Sequence, residues 1–367
     1  MNSAVGSLAQ YVASSESIFI MKADHTCRLL AVALTMILIA LAPQMRPATA
    51  GEQRPLLRIA RKVAGLDAWQ EGEGGKIWNR KGNSYYWLTD NQLLIFRFTD
   101  TRSDRGIWTL SRRNVATGNA TALPALSARF NESQGVHGWH SISPDGRWLL
   151  WVGGRGYCAA LLNGSRFITW QQSTESQTVS VRWLGDSRHW VQGITQDGRM
   201  KGFIRHNVAN PGEQKRIRLP GLDPLHIRSG SPYGHPVITW DNHLTTTTST
   251  YPQSHSQSRV IKIGLEERAR MKTHIVKAPM GWLFNYWGEP SHSGQRVAWE
   301  CQPRKPSPRK GKVLRSIWVS RVDGRQMHHV GSIEHDKYDG IYNLQWLPSG
   351  RQLSFEYQKA LYVVSAG

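Results

Sequence analysis

The chain has 367 residues, 40% of them hydrophobic, with 46 Lys and Arg against 26 Asp and Glu, a formal charge of +20. That length and its 16 tryptophans can bury a substantial core, which excludes a disordered chain and allows one large domain or two ordinary ones. The basic excess suits a polyanionic partner, but net charge does not choose among nucleic acid, anionic lipid and acidic glycan.

At the N-terminus, Leu29 to Ala42 reads LLAVALTMILIALA, with Thr35 its only polar member. It falls short of the roughly 20 residues a helix needs to cross a bilayer. Lys22 and Arg28 precede it, and Ala48-Thr49-Ala50 has the small-x-small pattern of a signal-peptidase site. Residues 1–50 are therefore predicted to be a signal peptide, with an uncleaved anchor as the alternative. Met21-Lys22 makes a more ordinary start, so residues 1–20 are read as an over-called start. No cysteine follows the apolar run, which leaves no lipoprotein attachment site, and there is no twin-arginine signal. In an oxidising compartment Cys158 and Cys301 could pair, but two buried free thiols inside strands are the expectation.

Beyond residue 51, only Leu265 to Thr273, LEERARMKT, reads as a short helix. The rest consists of short runs rich in Trp, Val, Ile and Tyr between Gly, Asp, Asn and Pro, the pattern of an all-β chain. Six units share a short strand, a polar turn and a strongly apolar strand. They begin at Tyr85, Trp139, Val181, Ile227, Tyr286 and Leu344, with turns centred near Asp90, Asp145, Asp186, Gly234, Ser293 and Ser349. The turn spacings of 55, 41, 48, 59 and 56 residues each leave room for four strands. The predicted fold is an all-β, six-bladed propeller with four-stranded blades.

The second unit parses strand by strand: 136–143, a turn at 144–147, 148–152, a turn at 153–156, then 157–162 and 165–170. Between the last two, Asn163-Gly164 suggests a type I′ hairpin. The sixth unit runs out after three strands, so a ring must borrow its last strand. Pro55–Lys62 is the natural donor. The expected organisation is thus signal peptide 1–50, closing strand and lead-in 51–83, and propeller 84–367. Two segments read as insertions: Leu244–Ser258, Thr- and Ser-rich, and the basic, proline-broken Gln302–Arg315.

These units, with Ser-Pro-Asp-Gly-Arg at 143–147 and Leu-Pro-Ser-Gly-Arg at 347–351, resemble the Pro-Asp, WD40-like repeat of TolB-like propellers. The propellers of prolyl oligopeptidases carry a similar repeat. The resemblance covers about residues 84–367 and implies an architecture and an extracytoplasmic binding role. TolB's extra N-terminal domain and the peptidases' α/β-hydrolase domain have no room in this chain, so neither TolB's partners nor peptidase activity is implied.

Catalytic signatures are sparse. The sequence has no Gly-x-Ser-x-Gly and no His-Glu-x-x-His. The pairs His137 and His140, His328 and His329, and His335 with Asp336 could each supply two metal ligands, yet nothing completes a set. No metal and no cofactor are expected. The segment Ser143-Pro-Asp145-Gly146-Arg-Trp148 departs from a sialidase Asp-box after the aspartate, and Asp145 is read as a hairpin cap. Trp148, Trp151, Trp183, Trp190, Trp299 and Trp346 are expected between blades, while Trp282 and Trp287 are the better stacking candidates.

Loops joining second to third strands share one end of a propeller, and here they are mostly basic. The candidate binding residues are Arg102, Arg105, Arg155, Arg304, Lys305, Arg309, Lys310, Lys312 and Lys359. The expected function is non-catalytic binding of a protein or an anionic glycan or envelope polymer, by a periplasmic or secreted monomer. Nucleic acid is not expected as a partner, and no stable membrane span remains after cleavage. The alternative is a propeller lyase or hydrolase acting on an acidic carbohydrate, which needs acid, base and cation converging in the central funnel. A funnel with only basic and neutral groups would favour binding.

Overall fold

The computed structural model describes residues 55–63, 83–99, 107–135, 140–171, 181–196, 199–218, 237–248, 256–266, 270–285, 288–305, 311–336, 340–358 and 360–367. The signal segment lies outside them. The strands form six antiparallel sheets, each ordered up and down along the chain. Blade one comprises Asn83–Thr89, Gln92–Thr99, Ile107–Asn114 and Ala120–Ala122. Blade two comprises His140–Ile142, Trp148–Gly153, Gly156–Leu161 and Phe167–Gln171. Blade three has Val181–Trp183, His189–Gln196, Arg199–Asn207 and Gln214–Arg218, and blade four has Val237–Thr239, His243–Thr248, Gln257–Gly264 and Met271–Lys277. In blade five the inner strand is in two pieces, Trp282–Phe284 and Glu289–Pro290, followed by Arg296–Pro303, Lys312–Arg321 and His328–Asp336. Blade six has Tyr342–Trp346, Gln352–Tyr357 and Ala360–Ser365.

The sixth blade takes its fourth strand from the other end of the chain: Arg61 pairs with Val363 and Lys62 with Tyr362. The protein is a six-bladed propeller closed by an N-terminal strand. Of the expected donor, Arg61–Lys62 forms the strand. Leu56–Ile59 is a single helical turn, because Leu56 is buried between blades five and six instead of continuing the edge. It lies so close to Gly331 that a side chain there would meet it at 2.9 Å. The opposite terminus is also tied down. Arg296 Nη2 donates to the carbonyls of Ala366 (2.6 Å) and Gly367 (3.0 Å), and its guanidinium stacks over Trp346.

Six hydrophobic clusters account for the core, and each lies between two neighbouring blades. The alternation of the second and third strands explains this, since successive side chains face opposite sides of a blade. The six repeat tryptophans expected between blades are all buried there. Cys158 and Cys301 are buried free thiols in different clusters, as expected from the sequence.

The first turn of each blade repeats closely. In five blades the residue after the turn centre is left-handed: Gly146, Ser187, Asn242, Gly294 and Gly350. In all six blades the residue following the third strand donates its N–H to a carbonyl of that turn. The donors are Val115, Leu162, Val208, Leu265, Val322 and Ala366, with N···O distances of 2.8–3.0 Å.

This register corrects several sequence expectations. The fourth turn is centred on Asp241, not Gly234, because Val237–Thr239 is the inner strand and not the second one. The first part of the Thr-rich "insertion", residues 244–248, belongs to blade four's second strand, and Thr245, Thr246 and Thr247 are buried. Their hydroxyls are accommodated by partners such as Gly288 O, which accepts from Thr247 Oγ1 at 2.8 Å. Of the segment Leu265–Thr273 expected to be helical, Met271–Thr273 belong instead to the outer strand Met271–Lys277, and 267–269 lie outside the described residues. A helix does occur at Pro124–Glu132, where Pro124 opens it and Leu126 and Phe130 pack between blades one and two. The basic insertion is shorter than expected, because Gln302 and Pro303 belong to one flanking strand and Lys312–Arg315 to the other; residues 306–310 lie outside the described residues. Asn163 is not left-handed, so the hairpin is not type I′, and its Oδ1 accepts from Ser165 N–H at 3.0 Å instead.

Candidate functional site

The two ends of the ring differ in chemistry. Second-to-third-strand loops mark the loop end, and there Arg155, Arg304, Lys305 and Lys312 are exposed. Lys312 is partly neutralised by Asp336 at 2.9 Å. Arg102, Arg105, Arg309, Lys310 and Lys359 lie outside the described residues. The turn end is basic as well: the repeat places exposed Arg147, Arg188 and Arg351 two residues past the turn centres. Charge sign alone therefore does not separate the ends.

At the turn end, neighbouring turns are bonded together. Asp145 N–H donates to Ser187 Oγ (3.0 Å), Gly185 N–H to Asn242 Oδ1 (3.3 Å) and Trp240 N–H to His292 O (2.6 Å). His292 Nε2 then reaches Trp346 O (3.1 Å), and Ser349 N–H donates to Asp90 Oδ1 (3.0 Å). Asp145 also accepts from Ser143 Oγ (2.5 Å) and Arg147 N–H (3.1 Å), which makes it the hairpin cap expected of it.

Through the middle runs a channel of about 390 Å3, lined by the inner strands of all six blades. Counting four residues back from each turn centre gives Tyr86, Ser141, Arg182, Val237, Glu289 and Gln345. All six line the channel, and their common register places them at one level. Arg182 and Glu289 keep part of their surface open to the channel while protein encloses them on every side. Enclosure lowers the Arg182 pKa, with Tyr86 and Glu289 pulling the other way. Enclosure pushes Glu289 up to about 7 despite the pull of Arg182, and pushes Tyr86 up to about 12. His292 is lowered, chiefly by burial, so its imidazole is neutral at pH 7. The channel thus holds a carboxyl, a cation and an imidazole, and the sequence criterion of a funnel with only basic and neutral groups is not met.

Of the histidine pairs weighed as metal ligands, His137 lies outside the described residues. Among the described residues, no group of three or more His, Cys, Asp or Glu could hold an ion. His328 and His329 point to different partners, Ala366 O at 2.7 Å and Ser332 Oγ at 2.8 Å. Trp282, one of the two stacking candidates, is packed in the core between blades four and five beside Trp318. Trp287 lies outside the described residues.

No family description and no curated protein matches this chain. Solved propellers do resemble it. The structure of putative TolB from Agrobacterium tumefaciens shares 12% identity at a TM-score of 0.41, covering 77% of this chain and 89% of that one. The β-propeller domain of the Trilobed protease from Pyrococcus furiosus shares 11% at 0.42, covering 75% and 79%. An oligogalacturonate lyase in complex with manganese shares 14% at 0.43, covering 86% and 97%. Likenesses this distant carry no functional argument, and the strand order itself establishes the propeller. Among the described residues, no helix is long and apolar enough to cross a membrane.

Proposed function

We propose that this protein is a non-catalytic, TolB-like binding propeller of the periplasm or the extracellular space, which takes a protein or an anionic envelope polymer at its loop end. The observation that supports this reading is the exposed cation group there: Arg155 and, within one loop, Arg304 and Lys305. Exposed cations can engage a polymer's charges without a preformed cleft, and such binding weakens steeply with salt. The signal-like N-terminus supports placement outside the cytoplasm. Chromatography of the full chain on heparin and on duplex DNA tests the reading. Salt-sensitive retention on heparin that exceeds retention on DNA is expected, and equal elution from both, or no retention, overturns it.

A second reading is an enzyme acting on an acidic carbohydrate, and one observation favours it: Arg182, Glu289 and His292 all line the channel. Release of reducing or unsaturated ends from polygalacturonate or alginate, lost in Glu289→Gln, is the outcome that would favour it over binding.

A further inference from the structure

We infer that the central channel is a binding site for a single carboxylate group, with Arg182 as its anchor and Glu289 beside it. The inference rests on channel residues alone and does not depend on what the loop end binds.

The first support is how little of Arg182 the protein uses. Among the described residues its one hydrogen bond runs from Nη1 to Val181 O, at 2.9 Å. A guanidinium carries five donors in a planar fork, so most of them are left on the channel wall. Glu289 makes no side-chain hydrogen bond to a described residue, and no ion pair joins it to Arg182. Blade five offers a contrast only a few residues away. Glu300, equally enclosed, is held by Arg315 Nε at 3.3 Å and accepts from Asn285 Nδ2 at 2.7 Å. That is how this protein builds a carboxylate–arginine pair for structure. The channel pair is built differently, with both groups facing a shared space.

The second support is the charge and size of that space. A channel of about 390 Å3 falls within the range of small-molecule sites. At the level of Arg182 the other rungs are Tyr86, Ser141, Val237 and Gln345, which carry no charge. When Glu289 is protonated, the enclosed Arg182 cation has only uncharged neighbours at its level and is costly until an anion compensates it. One guanidinium balances one negative charge, which fits a carboxylate better than a phosphate dianion, and its fork matches two carboxylate oxygens. The body of the ligand would lie against the ring of Tyr86, which meets His140 edge-on, and the Trp240–His292 stack toward the turn end.

The site has a pH sense. The ionisable groups lining it are Tyr86 from blade one, His140 from blade two, Arg182 from blade three, and Glu289 and His292 from blade five. At that level blades four and six contribute Val237 and Gln345, and Asp90, outside the lining, acts on His292 electrostatically. Tyr86 and His292 are neutral at pH 7, and Arg182 stays charged. Glu289 changes in this range, with its pKa near 7. Protonated, it donates to the ligand; ionised, it repels it. Affinity therefore falls as the pH rises through that value.

The test uses the full chain with benzoate, cyclohexanecarboxylate and glucuronate, with benzamide as the uncharged counterpart and inorganic phosphate as the ion control. Thermal shift and calorimetry at about pH 6 and pH 8.5 read the result. At the lower pH at least one carboxylate should bind, more tightly than benzamide or phosphate. Arg182→Met should weaken it about tenfold or more, the scale of one charge-assisted contact. Glu289→Gln should retain binding and lose most of the pH dependence. Val237→Phe fills the same level and leaves Arg182 in place, so it should abolish binding even if Arg182→Met fails to fold. The inference is overturned if no carboxylate outperforms benzamide, if phosphate binds as well, or if Val237→Phe binds like the wild type.

Discussion

At the turn end of the ring, backbone and side-chain hydrogen bonds tie one turn to the next at five of the six blade junctions among the described residues. At the loop end, Arg155, Arg304 and Lys305 stand exposed on loops. The same repeat thus serves two purposes. One end fixes the spacing of the blades, and the other is left free to carry side chains whose identity the fold does not dictate. Between them, at the level of Arg182, the channel draws one residue from each blade, so its chemistry there is set by a register that the turn end enforces.

The sharpest way to break this contrast is to compare substitutions from the blade interfaces outward. Trp299 is fully buried between blades four and five and donates from Nε1 to Ser320 Oγ at 2.9 Å. Trp299→Ala should cost about 3–5 kcal/mol in urea denaturation, the usual range for an emptied aromatic site. Gly185 lies so close to the neighbouring turn that a Cβ would meet Trp240 O at 1.8 Å. Gly185→Ala must therefore push blades three and four apart, and a loss of about 2 kcal/mol or more is expected. Asp145→Ala removes a cap and should cost about 1 kcal/mol, leaving polyanion and carboxylate binding unchanged. Arg155→Ala, at the loop end, should change stability by no more than about 0.5 kcal/mol. A destabilised Arg155→Ala, or a neutral Gly185→Ala, would erase the difference between the ends.

A subtler test concerns pH. Glu289 has a folded pKa raised to about 7, above that of a free glutamate. The folded state holds this proton more tightly than the unfolded state does, so the contribution is full below the unfolded pKa of about 4.3 and is lost as pH rises through 7. Wild-type stability from this group should fall between those values. Urea denaturation across that window should show a shallower decline for Glu289→Gln, and an unchanged slope would mean that enclosure does not act on Glu289 as described.

The blades were legible because their signals are local. Ser-Pro-Asp-Gly-Arg at 143–147 and Leu-Pro-Ser-Gly-Arg at 347–351 announce a left-handed glycine, and Gly146 and Gly350 adopt it. Blade four was misplaced because Trp240-Asp241-Asn242 uses Asn242 for that role and is followed by a threonine run that reads as polar linker. The helix Pro124–Glu132 announces itself only by its proline, since Leu123 offers no capping side chain. The channel was the least legible part. Arg182 and Glu289 look like ordinary polar residues in short strands until the six repeats share one register, which required Asp241 as the fourth turn centre. With that alignment, an Arg and a Glu at the same rung of the inner strands become the signal.

The most direct test of the difference between the two ends holds net charge constant. Arg155, Arg304 and Lys305 at the loop end are replaced by Gln in one variant, and Arg147, Arg188 and Arg351 at the turn end in another, each removing the same charge. Heparin affinity is then measured across a salt series. The loop-end variant should lose most of its affinity and show a shallower salt dependence, while the turn-end variant binds like the wild type. Equal losses in both would mean that overall charge, and not the loop end, holds the polymer.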